Sequence, residues 1–229
     1  MEKQSNRIDI LQFHWFSLQM GLYVERKSPN TLLNMSNKYI CHSGGCPGAD
    51  MAWEIIGEEY GVKTIAYSFH NHQQEGKNPK ILTKDELEEG YFHARMADKT
   101  LKRNFDGIQY PYVKNLLARN WFQVKNAEAI FAVGYLYSNT IAEGGTGWAV
   151  QMAIDSDKPM YFYHQQKSKF VIPNKFSWHR YLPISGFERL DYIPKLTKNF
   201  AGIGSRDLTD DGLKAIAEVY QNTFGEIIT

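Results

Sequence analysis

Apolar and polar positions alternate regularly from residue 38 onward. Residues 38–41 form a short apolar run that leads into Ser43-Gly44-Gly45, and an amphipathic segment begins at Asp50 and continues to residue 60. Residues 62–67 are again largely apolar, with β-branched and aromatic side chains. This pattern predicts a strand, a turn, a helix and a second strand in succession.

The same alternation continues along the rest of the chain. Thr83 and Glu86 have the spacing of a capping box, so a helix is predicted at 83–103. Residues 127–133 are the strongest candidate for a buried strand. The other predicted elements are helices at 112–125, 148–154 and 210–223, a strand at 160–163, and a strand that enters a tight turn within 200–206. Alternating strands and helices predict an α/β protein of the Rossmann-like type, with a mainly parallel sheet flanked by helices.

Three segments stand apart from this alternation. Residues 8–22 predict a helix within an N-terminal extension of about 1–37, and residues 70–79 are polar and loop-like. Residues 165–199 are rich in aromatic residues and prolines, and we interpret them as an irregular excursion over the surface. A length of 229 residues with 43% hydrophobic residues suffices for one large core, so we expect a single domain over residues 1–229.

Charge and hydropathy argue against several classes of partner. The 26 basic and 25 acidic residues leave a formal net charge of +1, and no basic run typical of nucleic-acid binding occurs. The chain has no run of about 18 apolar residues, and its first residues lack the continuous apolar stretch of a signal peptide. We therefore expect a cytoplasmic protein with a small-molecule ligand, and neither a membrane nor a nucleic-acid partner.

The residue types that commonly bind metals are few and scattered. Cys41 and Cys46 are the only cysteines, and no second pair accompanies them. His42, His70 and His72 have no carboxylate or cysteine partner at metal-ligand spacing. The sequence therefore predicts no metal ion and no bound cofactor, and so few cysteines fit a reducing compartment.

Three predicted strands end in glycine-rich turns that lead into helices. The turns are SGGCPGAD at 43–50, EGGTGW at 143–148 and GIGSR at 202–206. Glycine permits positive φ and close backbone approach, so a phosphate can reach the N–H groups at a helix start, where the helix dipole adds positive charge. In a parallel sheet such turns share the carboxyl edge, where ligands bind. Glycine also serves ordinary tight turns and close helix packing, and that structural alternative stays open for each turn alone.

These turns supply the candidate ligand-binding residues. None of them matches the full GxGxxG dinucleotide fingerprint or the GxxxxGK[ST] phosphate loop, which argues against a standard NAD dehydrogenase or an ATPase. We expect a pocket for a phosphorylated nucleotide or nucleotide-sugar. The candidates are Ser43, Gly44, Gly45, Cys46, Gly48, Asp50, Arg119, Gly144, Gly145, Thr146, Gly147, Gly202, Gly204, Ser205 and Arg206.

The motifs SGGCPGAD, ARNWFQVKNAEAIFAVG, EGGTGWAVQMA and AGIGSR together resemble the SLOG superfamily, over about residues 38–164 and 199–225. That superfamily includes the LOG-type cytokinin-activating phosphoribohydrolases and the DprA-like proteins. The resemblance implies a Rossmann-like homodimer or higher homo-oligomer that binds a nucleotide or a nucleotide-derived ligand, as an enzyme or as a sensor.

The order of the motifs departs from the family pattern. GSR usually precedes SGG-x-x-GAD, whereas here it follows all the other motifs, so the chain resembles a circularly permuted, phage-type member. The last strand–helix unit is expected to fill the vacant place beside strand 38–41, either in the same chain or by exchange with a second chain.

The resemblance also suggests residue roles. The LOG-type pattern has an arginine in a helix and then PGG-x-GT-x-x-E; Arg119 matches the arginine, three glycines match (Gly144, Gly145 and Gly147), and Gln151 stands at the glutamate position. An amide cannot supply the acid–base or charge stabilisation that cleavage of an N-glycosidic bond requires, so Glu143 or Asp50 would have to replace that glutamate.

The residues themselves leave several roles open. Arg119 is interpreted either as a phosphate clamp or as a surface salt bridge, and Arg206 as a phosphate ligand. Asp50 would cap a helix or hold a ribose hydroxyl. Trp53 and Trp148 would stack on a base or belong to the core.

Two functions follow from these features. The first is capture of a nucleotide or of an ADP-ribose-like or cyclic nucleotide signalling molecule, in its sharper form sequestration of a defence signal by a phage protein in the host cytoplasm. The second is a LOG-like phosphoribohydrolase or nucleotide N-glycosidase. A DNA-associated role, by analogy with DprA-like relatives, is disfavoured by the balanced charge.

Overall fold

The computed structural model describes residues 38–165 and 177–226. The predicted helix at 8–22 and the extension of about 1–37 lie outside the described residues, as does the 166–176 part of the predicted excursion.

The described residues form one eight-stranded sheet, with helices on both faces. Its order is β3-β2-β1-β8-β4-β5-β6-β7, parallel from β3 to β5 and antiparallel at β6 and β7. This confirms the predicted α/β, mainly parallel architecture. The strands are β1 Ile40–Ser43, β2 Lys63–Ser68, β3 Pro79–Ile81, β4 Ala129–Gly134, β5 Met160–His164, β6 Trp178–Leu182, β7 Gly186–Arg189 and β8 Asn199–Gly204.

Five helices in the described residues cover the sheet. They are α1 Ala49–Glu59, α2 Lys84–Leu101, α3 Pro111–Asn126, α4 Gly144–Asp155 and α5 Asp210–Phe224, with a short 3-10 helix at Phe105–Gly107. Apolar residues of α2, α3 and α4 form one core layer, and those of α1 and α5 form the other. The capping box of Thr83 and Glu86 is present at the start of α2.

β4 shows why the centre of the sheet was predictable from the apolar pattern. Every residue of this strand is buried; Ile130 and Ala132 belong to the core layer of one face, whereas Phe131 and Val133 belong to the other. The sequence of a parallel strand that helices cover on both faces is a continuous apolar run, because neither face contacts water.

The C-terminal strand β8 completes the sheet within the same chain. It lies between β1 and β4 and is parallel to both. Gly202 within β8 makes room for the indole of Trp53, because a Cβ atom at this position would lie 2.5 Å from the ring. Trp53 Nε1 also donates to the carbonyl of Ile203 at 3.3 Å. The strand–helix unit that follows all the other motifs therefore occupies the centre of the fold.

Three local features differ from the predictions. The excursion at 165–199 contains the β6–β7 hairpin, which extends the sheet; only Trp178, Gly186 and Phe187 of these strands are buried, so their apolar signal is weak. The polar loop at 70–79 leads directly into β3, an edge strand whose three residues are all exposed. Helix α4 begins at Gly144 rather than Trp148, and Gly144 enters it with a positive φ of 59°, which favours glycine.

Candidate functional site

The carboxyl edge of the sheet brings the three glycine-rich segments together. We call residues 44–48 the β1 turn, residues 204–209 the β8 turn and residues 143–147 the α4 start. The Ala49 N–H donates to the Ser205 carbonyl at 3.0 Å, and the Ser205 N–H donates to the Val133 carbonyl at 2.8 Å. Because β1, β8 and β4 are adjacent and parallel, these contacts join the ends of all three strands.

The β1 turn is closely packed, and its glycines are required by its own geometry. Gly45 and Gly48 have φ values of 63° and 98°, which favour glycine. A Cβ atom at Gly48 would lie 2.5 Å from the carbonyl oxygen of Arg206 in the β8 turn. The Ser43 hydroxyl accepts from the Gly45 N–H at 3.2 Å, and Ser43 is fully buried, so its hydroxyl holds the turn from within.

Arg119 lies beneath the β1 turn and is only 5% exposed. Its Nη2 donates to Cys46 Sγ at 3.1 Å and lies 3.8 Å from Asp50 Oδ2. Its Nε and Nη1 have no hydrogen-bond partner among the described residues. A surface salt bridge is therefore the wrong interpretation of this arginine. Because buried donors without partners are costly, these two nitrogens point to an ordered water or a ligand oxygen at this position.

Asp50 joins the β1 turn to the β8 turn. Burial raises the pKa of its carboxyl group, and this effect is opposed first by the charge of Arg119 and then by hydrogen bonds from the Cys46 and Gly204 N–H groups. The carboxylate thus lies where it can satisfy backbone donors of both turns. Asp50 does not cap α1 as predicted, because the N-cap residue is Gly48 and no side chain caps this end; the carboxylate instead accepts from backbone N–H groups outside the helix.

Glu54, one helical turn after Asp50, is a buried carboxyl group that the sequence analysis missed. Burial raises its pKa to about 7, while the Ser43 hydroxyl and the Gly45 N–H partly offset the shift. A Cβ atom at Gly76 would lie 2.8 Å from Glu54 Oε2 and 2.9 Å from Gln74 Oε1, so the loop after β2 closes over it. Two carboxylates four residues apart behind a glycine turn were the available signal, because such residues share one helix face.

The α4 start is open, in contrast to the β1 turn. Gly144 and Gly145 are exposed, and a Cβ atom at either position would have no atom within 4 Å. Glu143 occupies the N-cap position, but its side chain does not cap the helix. Gly147 is the exception, because a Cβ atom there would overlap the carbonyl of Ala142. The first N–H groups of α4 therefore face accessible space.

Two side chains outside the glycine motifs hold the α4 start in place. Arg103, which the sequence analysis did not select, donates to the carbonyls of Gly144 and Ala142, at 2.7 Å each. Asn120 Nδ2 donates to the Gly145 carbonyl at 3.4 Å. Because Arg119 contacts the β1 turn and the next residue contacts the α4 start, α3 holds the two segments beside each other.

The remaining candidates divide between the core and the surface. Gln151 is buried and donates to Asp155 Oδ1 at 2.8 Å, within its own helix. Trp53 and Trp148 are buried in the two core layers, so their rings have no free face for a base. Arg206 is exposed at the edge, and Thr146 is half-buried.

The described residues form neither a metal-binding cluster nor a membrane-spanning helix. In the part of the chain that the structure describes, no group of three or more His, Cys, Asp or Glu side chains is placed to hold a metal ion. None of the described helices is long and apolar enough to cross a membrane. Family models, curated proteins and solved structures provide no match to this chain.

Proposed function

We propose that this chain is a SLOG-like protein that binds a phosphorylated nucleotide, or an ADP-ribose-like or cyclic nucleotide signalling molecule, at the carboxyl edge of its sheet. The observation that carries the proposal is the open α4 start, where the two exposed glycines leave room for a phosphate against the helix N-terminus. Backbone N–H groups and the helix dipole favour an anion at such a position.

Two arginines support an anionic ligand. Arg206 is exposed on the same edge and supplies a mobile positive charge. Arg119 has two buried guanidinium nitrogens, Nε and Nη1, without partners among the described residues, which a ligand oxygen or an ordered water would satisfy. The shared edge, rather than any one turn, defines the pocket.

The surroundings of Gln151 and Asp50 fit binding without turnover better than hydrolysis. Gln151 is an amide and bonds to Asp155 in its own helix. The Asp50 carboxylate pairs with Arg119 and accepts hydrogen bonds from backbone N–H groups. These interactions disfavour a role for Asp50 as a general acid or base. We infer sequestration of a signalling nucleotide as the role, in the host cytoplasm for a phage protein and with the chain in a homo-oligomer. Cleavage by Glu143 or Asp50 is the competing function.

The test uses purified protein with AMP, ADP-ribose and cyclic dinucleotides, followed by thermal unfolding and mass spectrometry of the ligand released on denaturation. At a concentration 100 times Kd, a ligand adds about 3 kcal/mol to the free energy of unfolding, or roughly 5–10 °C in Tm. We expect stabilisation with the ligand recovered intact.

Gly145→Ala is the matched variant. Its methyl group meets nothing in the free protein but occupies the space proposed for the phosphate, so we expect affinity to fall about 10- to 100-fold without loss of fold. Arg180→Gln, an exposed change on β6, is the control and leaves binding unchanged. Wild-type affinity in Gly145→Ala would contradict this site, and release of free base would establish the glycosidase instead.

A further inference from the structure

An aromatic cluster lies at the same edge, and no glycine motif pointed to it. We call Phe69, His72 and Tyr112 the aromatic platform. The rings of Phe69 and His72 stack with centroids 4.8 Å apart and an angle of 14° between their planes. Tyr112 lies edge-on to Phe69 at 5.4 Å and 6.2 Å from the His72 ring. Phe69 is buried, whereas 39% of Tyr112 is exposed. The cluster therefore exposes a tyrosine ring that packs against a buried phenylalanine.

The platform is connected to the β1 turn through His72, and this histidine is uncharged at neutral pH. His72 Nδ1 lies 3.0 Å from Ser68 Oγ, and its Nε2 lies 3.7 Å from Cys46 Sγ. Burial, with smaller contributions from the charges of Arg119 and Arg206, lowers the pKa of His72 to about 4. A neutral, flat surface of this kind suits an aromatic ring better than an anion.

Helix α3 sets the distance from the platform to the buried arginine. Tyr112 and Arg119 are seven residues apart, so they lie on one face of the helix, about 10 Å apart along its axis. Arg119 contacts Cys46 at one end of this face, and Tyr112 contacts Phe69 and His72 at the other. Asn120, the residue after Arg119, contacts the α4 start, where the phosphate is proposed, so Tyr112 and the phosphate would lie about two helical turns apart along α3.

We propose that the aromatic platform is the base-stacking site of the bound nucleotide, with Tyr112 as the ring that contacts the base. This inference rests on the proposed nucleotide-binding function and adds a position for the base, which the buried Trp53 and Trp148 cannot provide. Stacking on a tyrosine accepts any base, because every base has a π-face. Discrimination between bases must then come from other groups.

The test compares AMP with ribose 5-phosphate, which lacks the base, by isothermal titration calorimetry. We expect Tyr112→Ala to weaken AMP binding about 5- to 100-fold and Tyr112→Phe to retain it, because stacking requires only the ring. Ribose 5-phosphate should bind wild type and Tyr112→Ala equally. Tyr110→Ala, an exposed tyrosine two residues earlier, is the matched control and should bind AMP as wild type does.

The outcomes separate the two proposals. If wild type binds AMP and Tyr112→Ala binds it equally well, the platform is not the base site although the proposed function stands. Equal weakening of AMP and ribose 5-phosphate also overturns the platform, because the effect then does not involve the base. If wild type binds neither AMP, ADP-ribose nor a cyclic dinucleotide, both proposals fail.

Discussion

The β1 turn and the α4 start look alike in the sequence, and both contain glycines with positive φ, yet the space around their glycines differs. In the β1 turn, a Cβ atom at Gly44 would overlap the Arg119 guanidinium and lie 2.5 Å from Asp50 Oδ2. At the α4 start, a Cβ atom at Gly144 or Gly145 would meet nothing within 4 Å. One segment is filled by its own protein, and the other is open to a ligand.

This contrast shows two effects of the absence of a side chain at glycine. In the β1 turn it lets a buried ion pair and a second turn approach the backbone, so the glycines stabilise the edge of the sheet. At the α4 start it leaves backbone N–H groups uncovered, which is the condition for anion binding. The β1 turn therefore supports the edge of the sheet, whereas the α4 start provides an accessible surface.

The largest effect is expected from removal of the cation beneath the β1 turn. Arg119→Met leaves the Asp50 carboxylate buried without its ionic partner, so we expect the free energy of unfolding to fall by about 3–5 kcal/mol. Chemical denaturation at neutral pH measures this change.

Arg95→Met provides the matched control for Arg119→Met. Arg95 pairs with Asp106 at 2.8 Å, but both side chains are at least half exposed, so its loss should cost about 0–1 kcal/mol. Equal destabilisation by the two substitutions would show that the β1 turn does not depend on its buried ion pair.

The second largest effect concerns the buried carboxyl group of Glu54. Its pKa is about 7 in the folded protein against an ordinary value of 4.5, so the folded state holds the proton more tightly. The resulting stabilisation is fully present below pH 4.5 and is lost as the pH rises to about 7, an effect of about 3 kcal/mol. Glu54→Gln, which stays neutral, should therefore match wild type near pH 4.5 and exceed its stability by about this amount at pH 8.

Denaturation of wild type and Glu54→Gln between pH 4.5 and 8.5 tests this dependence. Glu58→Gln is the control on the same helix, where an exposed carboxylate pairs with Lys77, and its stability difference should stay small throughout. A difference between Glu54→Gln and wild type that does not change with pH would mean that Glu54 is not protonated in the folded protein.

The comparison also shows which parts of the structure were predictable from the sequence. The α/β alternation and the buried strand β4 depend on local apolar patterns and strand–helix order, which the chain displays directly. The place of β8 beside β1 was instead expected from the order of the motifs in the resembled family, and the structure has it there. The β6–β7 hairpin was not predicted, because few of its residues are buried and the alternation is faint.

The site was predictable in outline only. The glycine motifs predicted that the turns meet at one edge of the sheet, and the structure places them there, since parallel strands bring their turns together. They did not indicate that Arg119 is buried, that Glu54 lies beneath the β1 turn, or that His72 and Tyr112 meet. These features depend on contacts between residues that are distant in the chain. The pattern of a single sequence does not predict such contacts.

The smallest effects come from the glycines themselves, and they test the contrast directly. Gly44→Ala must displace the Arg119–Asp50 pair, so we expect a loss of about 1–3 kcal/mol in the free energy of unfolding. Gly145→Ala lies in a helix with open space around it, so the same methyl group should raise stability by about 0.5–1 kcal/mol. Thermal unfolding of the two variants in the absence of ligand measures both signs. Opposite signs would establish that one turn is filled and the other open, whereas a loss in both would mean that the α4 start is as tightly packed as the β1 turn.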